Sequence, residues 1–246
     1  MRQFRALDLY CGGGGATKGL QRAGFHVTGV DIRPQKRYCG DRFFQADALD
    51  FAIDAREMYL SQEDDNEDRL FDFIWASPPC QAYSVAASNR RRDGVIYPDL
   101  IAATRAKLIE TDITWVMENV PGSPMRADVI LCGSMFGLRI ARHRVFESNI
   151  TGWPLVQSCS HVQGLVTVCG HGTPSRSRHT RIARGLHPNV SVDEKRAVMD
   201  ISWMNREELA QAVPPAYSEW IGRRAIEFLE SLRSTSPSMA GFAERA

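Results

Sequence analysis

The chain has 246 residues, and its 30 Lys and Arg nearly balance 29 Asp and Glu, giving a formal net charge of +1. With 43% hydrophobic and 24% charged residues, the composition is that of a globular protein with ample material for a core. No stretch approaches the roughly 18 apolar residues of a membrane span, and residues 1–10 lack the apolar core of a signal peptide. We therefore expect no membrane association and no export. Six cysteines in a chain this long indicate reduced cytosolic thiols rather than a secreted disulfide framework.

The amino-terminal part of the chain alternates between strand-like and helix-like stretches. Because such alternation is typical of βαβ units, it predicts an α/β fold with a doubly wound, mostly parallel sheet. Ligands of such sheets bind beyond the carboxyl ends of the strands. The predicted strands are 4–10, 26–31, 43–46, 71–76, 113–120 and 142–147, and the predicted helices are 17–23 and 98–111, the latter with Pro98 in its first turn.

The alternation stops after the last of these strands. Residues 148–192 are rich in Gly, Pro, Ser, His and Arg, with short β-like pieces such as 165–168, and we interpret them as a small inserted lobe. Helical patterns resume at 193–201 and 214–233. The predicted organisation is therefore a main domain of 1–147 and 193–233, a lobe of 148–192, and a disordered tail of 234–246.

A glycine-rich turn follows the first predicted strand. The sequence DLYCGGGG at 8–15 would let a ligand approach the backbone closely and would open a helix whose amides can hold an anionic group. Thr17 stands where a dinucleotide-binding turn requires its third glycine, which disfavours a nicotinamide dehydrogenase. Asp31 closes the second strand, where a carboxylate commonly holds ribose hydroxyls. These features predict a cofactor that contains a nucleoside.

Candidate reactive side chains lie in or directly after three later predicted strands. Cys80, in SPPCQAYS, lies at the ligand edge of the predicted sheet, where a thiolate could act as a nucleophile. Glu118, in ENV, ends another strand and could serve as an acid or as a hydrogen-bond partner of a bound base. Arg142 and Arg144, in ARHRVF, would share one face of a strand.

In this order, the motifs resemble those of the DNA (cytosine-5) methyltransferase family. DLYCGGGGATKGLQRAG is similar to its opening S-adenosylmethionine motif, and VDI and QADAL to the next two cofactor motifs. SPPCQAYS resembles its catalytic loop, ENV its glutamate motif, ARHRVF its paired-arginine motif, and QAVPPAYSEWIG at 211–222 its closing motif. The resemblance implies a class I, Rossmann-like methyltransferase fold that uses S-adenosylmethionine and releases S-adenosylhomocysteine.

The resemblance also implies roles for individual residues. Cys80 would attack C6 of cytosine, Glu118 would bond N3 and the exocyclic amine, and Arg144 would contact O2, with Arg142 in support. Tyr10 would stack on adenine, Asp31 would hold the ribose and Asp47 the adenine amino group. The cofactor site implied in this way comprises Asp8, Tyr10, Cys11, Gly12, Gly14, Gly15, Asp31, Ile32, Asp47, Ala48 and Pro79.

The near-neutral charge conceals two oppositely charged stretches. Residues 47–72 contain ten acids and two arginines, whereas 148–192 contain four arginines and no acid. Spaced basic residues suit phosphate contacts, so we interpret 148–192 as the target-recognition lobe for double-stranded DNA. The predicted DNA-binding residues are Ser84 of the catalytic loop, Arg90, Arg91, Arg92, Arg176, Arg178, Arg181 and Arg184.

Alternatives remain open at this point. A relative that methylates cytosine in tRNA would carry the same motifs, and a non-catalytic, cofactor-binding nucleic-acid module is a further possibility, although intact Cys80, Glu118 and Arg144 argue against it. Cys159 with His161 and Cys169 with His171 could ligate zinc, but their spacing is not that of the usual zinc finger, so we assign no metal. We expect a monomer in the cytoplasm of a bacterial or phage-infected cell.

Overall fold

A computed structural model of the protein describes residues 2–52, 71–161, 165–166, 168 and 190–235. The acidic run at 61–68, the arginines at 176, 178, 181 and 184, Cys169, His171 and the tail beyond 235 lie outside these ranges. The strands are β1 (Arg5–Leu9), β2 (His26–Asp31), β3 (Arg42–Gln45), β4 (Phe73–Ala76), β5 (Thr114–Asn119), β6 (Val129–Leu131) and β7 (Arg144–Ser148). The helices are α1 (Gly15–Ala23), α2 (Ser88–Arg92), α3 (Ile101–Glu110), α4 (Val192–Met199), α5 (Arg206–Gln211) and α6 (Pro215–Thr235).

The seven strands form one sheet in the order β3-β2-β1-β4-β5-β7-β6. The pairs from β3 to β5 are parallel, whereas β7 runs antiparallel to both β5 and β6. The predicted α/β, mostly parallel sheet is confirmed. The order reverses between β1 and β4, so the ends of these strands border the crevice where a doubly wound sheet binds its ligand.

Local signals explain where the helices begin and end. Gly14 and Gly24 flank α1 in the left-handed conformation, with φ of 86° and 116°, which glycine adopts without strain. Ser191 caps α4 by accepting a hydrogen bond from the Glu194 amide, and Asn205 caps α5 in a capping box with Glu208.

Three details of the predicted elements are wrong. Helix α3 begins at Ile101, so Pro98 lies before it rather than in its first turn; Asp99 accepts a hydrogen bond from the Ile101 amide instead. Arg142 precedes β7, so it does not share a strand face with Arg144. The sequence interpretation also missed β6, α2 and α5, which are three to six residues long and too short to show a clear periodicity.

Helix α6 returns the carboxyl-terminal part of the chain to the sheet. It packs on α1 at two glycines: a Cβ on Gly19 would lie 2.1 Å from the carbonyl oxygen of Pro215, and one on Gly222 would lie 2.8 Å from the Cβ of Ala23. Tyr217 and Ile221 of α6 are fully buried in the core beside Leu20 and Phe25. Among the described helices, none combines the length and apolar character needed to cross a membrane.

Candidate active site

The glycine-rich turn follows β1 and lies against the carboxyl end of β2, where the Cys11 amide donates a hydrogen bond to the Val30 carbonyl. Tyr10 and Gly12 adopt left-handed backbone conformations, with φ of 61° and 50°. The Gly12 amide donates a 3.0 Å hydrogen bond to Asp31, and the other carboxylate oxygen of Asp31 accepts one of 2.9 Å from the Arg33 amide. The turn and the carboxylate predicted to hold the cofactor therefore lie in direct contact.

Asp8 lies beneath this turn and is 1% exposed. Burial raises the pKa of its carboxyl to about 7, more than the hydrogen bond from Thr17 lowers it, and the nearby charges of Asp31 and Glu118 raise it further. Thr17 donates to Asp8 at 2.5 Å. Thr17 thus occupies the helix position at which a dinucleotide-binding turn has its third glycine, and its hydroxyl instead bonds the carboxylate of Asp8.

The other predicted cofactor residues surround the same edge of the sheet. Ile32, directly after Asp31, leaves 65% of its apolar side chain exposed. Tyr10 is partly buried, and its hydroxyl lies 3.0 Å from the Thr104 hydroxyl. Asp47 is exposed and accepts a hydrogen bond from the Leu49 amide. Cys11 and Ala48 are buried, and Pro79 is partly exposed.

The segment that leads into α6 supports the glycine-rich turn from the other side. The indole nitrogen of Trp203 donates a 2.7 Å hydrogen bond to the Gly13 carbonyl. A Cβ on Gly15 would lie 2.5 Å from the carbonyl oxygen of Val213, so only glycine allows this approach. Val213 belongs to the closing motif at 211–222, whereas Trp203 lies outside every motif and could not be predicted from the sequence.

The Cys80 loop follows β4 and is held by side chains from two directions. The Asn119 amide donates a 2.9 Å hydrogen bond to the Pro78 carbonyl. Arg91 donates to the carbonyls of Gln81 at 2.6 Å and Ser84 at 2.8 Å. The loop is therefore anchored before and after Cys80. Arg90 and Arg92 are exposed, unlike Arg91.

Glu118 and Arg144 form a buried ion pair next to this loop. Arg144 Nε lies 2.7 Å from Glu118 Oε1, and their side chains are 11% and 8% exposed. Arg144 also donates a 2.8 Å hydrogen bond to the carbonyl of His143. The pair forms because β5 and β7 are antiparallel neighbours, with Glu118 opposite Phe146 and therefore diagonal to Arg144.

Arg142 is half-buried close to Arg144. It donates to the carbonyls of Val168 at 3.1 Å and Ala210 at 2.7 Å, and its own carbonyl accepts a 2.6 Å bond from the Tyr217 hydroxyl. Burial, reinforced by the charge of Arg144, lowers the pKa of its guanidinium to about 9, so the group remains a cation at neutral pH. Arg142 therefore ties the inserted lobe and the closing helix to the site.

Cys80 lies within the electrostatic reach of these groups. Burial raises the pKa of its thiol, and the negative charge of Glu118 raises it further, whereas Arg144 and Arg142 lower it. The thiol is thus predominantly protonated at neutral pH, and its ionisation depends on the balance between Glu118 and the arginines.

Comparison with known protein families agrees with this arrangement. The profile of the C-5 cytosine-specific DNA methylase family matches residues 4–123. This match covers 120 of the 246 residues and includes Cys80 and Glu118. The chain is also 34% identical, over 91 residues, to Type II methyltransferase M1.HphI of Haemophilus parahaemolyticus. That match covers 35% of this chain and 23% of the relative, so the chain matches under a quarter of the curated relative's length.

Solved structures share the fold of this chain. A protein described as a DNA modification methyltransferase encoded within an E. coli prophage superposes with a TM-score of 0.60 at 14% identity, over 92% of this chain and 99% of that one. The S. pombe Dnmt2 methyltransferase gives 0.54 at 14% identity, over 94% and 99% of the two chains. The Entamoeba histolytica methyltransferase EhMeth gives 0.52 at 13% identity, with the same coverage. These likenesses confirm the predicted class I methyltransferase fold.

Proposed function

We propose that the protein is a DNA cytosine-5 methyltransferase that moves a methyl group from S-adenosylmethionine to a cytosine flipped out of duplex DNA. The observation that carries the proposal is the convergence of Cys80, Glu118 and Arg144 from three neighbouring strand ends. If the ion pair and the cysteine loop had unrelated roles, there would be no reason for them to meet at the ligand edge of the sheet. The match of residues 4–123 to the C-5 cytosine-specific DNA methylase family supports the same reaction.

The residues of the cofactor edge fit S-adenosylmethionine. Asp8 and Asp31 provide negative charge for the cationic sulfonium and ammonium groups, and a bound cation would favour the ionised form of Asp8. The exposed Ile32 side chain beside Asp31 offers an apolar surface for adenine. We assign the ribose to Asp31 and the adenine amine to Asp47. When bound, S-adenosylmethionine supplies an electrophilic methyl group on a sulfonium sulfur.

The chemistry on cytosine begins at Cys80. Its thiolate adds to C6, forming a C–S bond and displacing the C5–C6 π electrons into the ring toward N3. Glu118, once protonated, donates a hydrogen bond to N3 and accepts one from the exocyclic amine, and Arg144 donates one to O2, so that both residues stabilise the accumulating negative charge. C5 then acts as the nucleophile that accepts the methyl group. Loss of the C5 proton restores the double bond and expels the Cys80 thiolate.

A base stacked in a duplex cannot reach Cys80, so the cytosine must be extruded into the site. We propose that the Cys80 loop, with Ser84, and the exposed arginines Arg90 and Arg92 contact the DNA backbone. We assign target recognition to the 148–192 lobe, whose arginines would neutralise phosphates. Because the similar proteins include a bacterial and a prophage protein, we further propose that the protein acts in the cytoplasm of a bacterial or phage-infected cell. We also propose that it acts as a monomer.

The proposal is tested with wild type and Cys80→Ser protein. Wild type should place 5-methylcytosine in the DNA of a methylation-free bacterium and should trap a covalent adduct with 5-fluorocytosine duplex. Cys80→Ser should do neither while it binds S-adenosylmethionine with unchanged affinity. Methyl transfer by Cys80→Ser would overturn the nucleophile, and methylation of tRNA but not of duplex DNA by wild type would overturn the substrate.

A further inference from the structure

Four potential metal ligands meet at the edge of the active site. Cys132, His143, Cys159 and His161 each offer one ligand atom, and these four atoms all lie within 4.8 Å of one another. The sequence suggests a different set, in which Cys159 and His161 join Cys169 and His171. In the structure the partners of Cys159 and His161 are Cys132 and His143, which are 11 residues apart in the chain and show no recognisable spacing.

The sheet itself brings Cys132 and His143 together. Cys132 directly follows β6, and His143 directly precedes β7. Leu131 pairs with Arg144 in the antiparallel register, so the next residues along, Cys132 and His143, also face each other across the two strands. Half of the ligand set is thus fixed by the framework that also positions Arg144. The other half arrives from the segment after β7.

The pairing of the side chains favours a metal over a disulfide. Cys132 Sγ lies 3.3 Å from the Nε2 atom of His161, and Cys159 Sγ lies 3.5 Å from the Nε2 atom of His143. Each sulfur thus approaches an imidazole nitrogen, and both thiols are free. Zinc–sulfur bonds of about 2.3 Å and zinc–nitrogen bonds of about 2.0–2.1 Å at tetrahedral angles would place sulfur and nitrogen roughly 3.5 Å apart. The two sulfur–nitrogen separations in the structure already approach that value.

We propose that these four residues bind one structural Zn²⁺ ion in a tetrahedral Cys2His2 site. Two thiolates and two neutral imidazoles are a ligand set that zinc prefers, and the two thiolates neutralise its charge. The Ser134 hydroxyl lies 3.5 Å from Cys132 Sγ and accepts a hydrogen bond from the Ser160 amide, so a polar side chain already links the two halves of the set. Such outer contacts orient the ligands of metal sites.

The position of the site indicates its purpose. His143 separates the two arginines of the active site, and its carbonyl accepts the hydrogen bond from Arg144. A metal bound there would fasten residues 159–161 of the inserted lobe to the strand end that presents Arg144 to the base. The proposed zinc thus fixes the lobe relative to the catalytic residues and takes no part in methyl transfer. It does not depend on the proposed reaction.

Metal content tests the proposal directly. Protein purified without a histidine tag from zinc-supplemented medium should contain about one zinc per chain by elemental mass spectrometry. Cobalt(II) exchanged into the site should show the intense ligand-field absorption of a tetrahedral ion with thiolate ligands. Cys132→Ser and His161→Ala should each lose the zinc. His161 is exposed, so its variant keeps the test valid if loss of the buried Cys132 impairs folding.

The matched control is Cys169→Ser, which removes a cysteine of the competing set. It should retain the zinc of wild type, and loss of the metal in this variant would overturn the assignment of Cys132 and His143. Folded wild type without zinc and without the cobalt spectrum would also overturn the proposal. So would a disulfide between Cys132 and Cys159 in peptides mapped under non-reducing conditions.

Discussion

Replacing Glu118 with Gln separates the charge of this residue from its shape. The carboxylate and the Arg144 guanidinium are in direct contact and almost fully buried. Two unit charges roughly 4 Å apart attract each other by about 4 kcal/mol at an effective dielectric constant of about 20. Because a neutral hydrogen bond is about half as strong as a charge-assisted one, the amide should retain part of this attraction. We expect a loss of about 2 kcal/mol in the free energy of unfolding.

Catalysis should suffer more than stability. In a chain of this size, about 2 kcal/mol lowers the melting temperature by roughly 4–8 °C, so Glu118→Gln should remain folded at 25 °C. Its kcat for methyl transfer should nevertheless fall by about 10²–10³, the usual cost of removing one preorganised group that stabilises developing charge. Tritium transfer from S-adenosylmethionine to duplex DNA measures this loss.

The reactivity of the Cys80 thiol toward an alkylating reagent should increase in Glu118→Gln, although turnover falls. Burial and Glu118 raise the pKa of the Cys80 thiol, so the thiolate forms only as the pH rises, and alkylation of wild type by iodoacetamide should be slow at pH 7 and accelerate toward alkaline pH. Glu118→Gln removes one charge that raises this pKa and leaves both arginines, so its alkylation profile should shift to lower pH. Peptide mass spectrometry would follow Cys80 specifically. Wild-type turnover in the variant, or alkylation that is slower at every pH, would refute the reasoning.

Three further substitutions test how the Cys80 loop and the helix pair α1 and α6 are held. Arg91→Ala removes both hydrogen bonds that Arg91 donates to the Cys80 loop, so kcat at saturating DNA should fall about 10-fold to 100-fold with S-adenosylmethionine affinity unchanged. The control is Arg90→Ala, at the exposed neighbouring arginine. It should instead weaken DNA binding and reduce the slope of log binding constant against log salt concentration by about 1. Equal effects of the two variants would contradict the loop-anchoring role of Arg91. Gly19→Ala should destabilise the protein by about 1–3 kcal/mol in chemical denaturation, because its Cβ would lie 2.1 Å from the Pro215 carbonyl oxygen. The helix propensity of alanine returns only about 1 kcal/mol, so a stabilised variant would refute the close packing of α1 on α6.

Local patterns were sufficient to locate most of the fold. The predicted strands at 26–31 and 43–46 match β2 and β3 to within one residue, because a short apolar run bounded by turn residues has few other structures available. Residues near the carboxyl ends of strands, such as Asp31 in β2 and Glu118 in β5, could be assigned to the ligand edge because parallel strands all end there. Strand β6 was not predicted, because three residues are too few to show a hydrophobic periodicity.

The sequence alone determined that a glycine-rich turn, a cysteine loop, a glutamate and two arginines occur in the order of a methylase, because each motif is continuous in the chain. It could not determine which distant side chains touch. Only the tertiary structure paired Glu118 with Arg144, set Trp203 on the Gly13 carbonyl and drew Cys132 and His143 together with Cys159 and His161. The physical reason is that these contacts depend on the register between β5, β7 and β6 and on the return of α6. Strand register is set by packing across the whole sheet, which no local pattern of residues records.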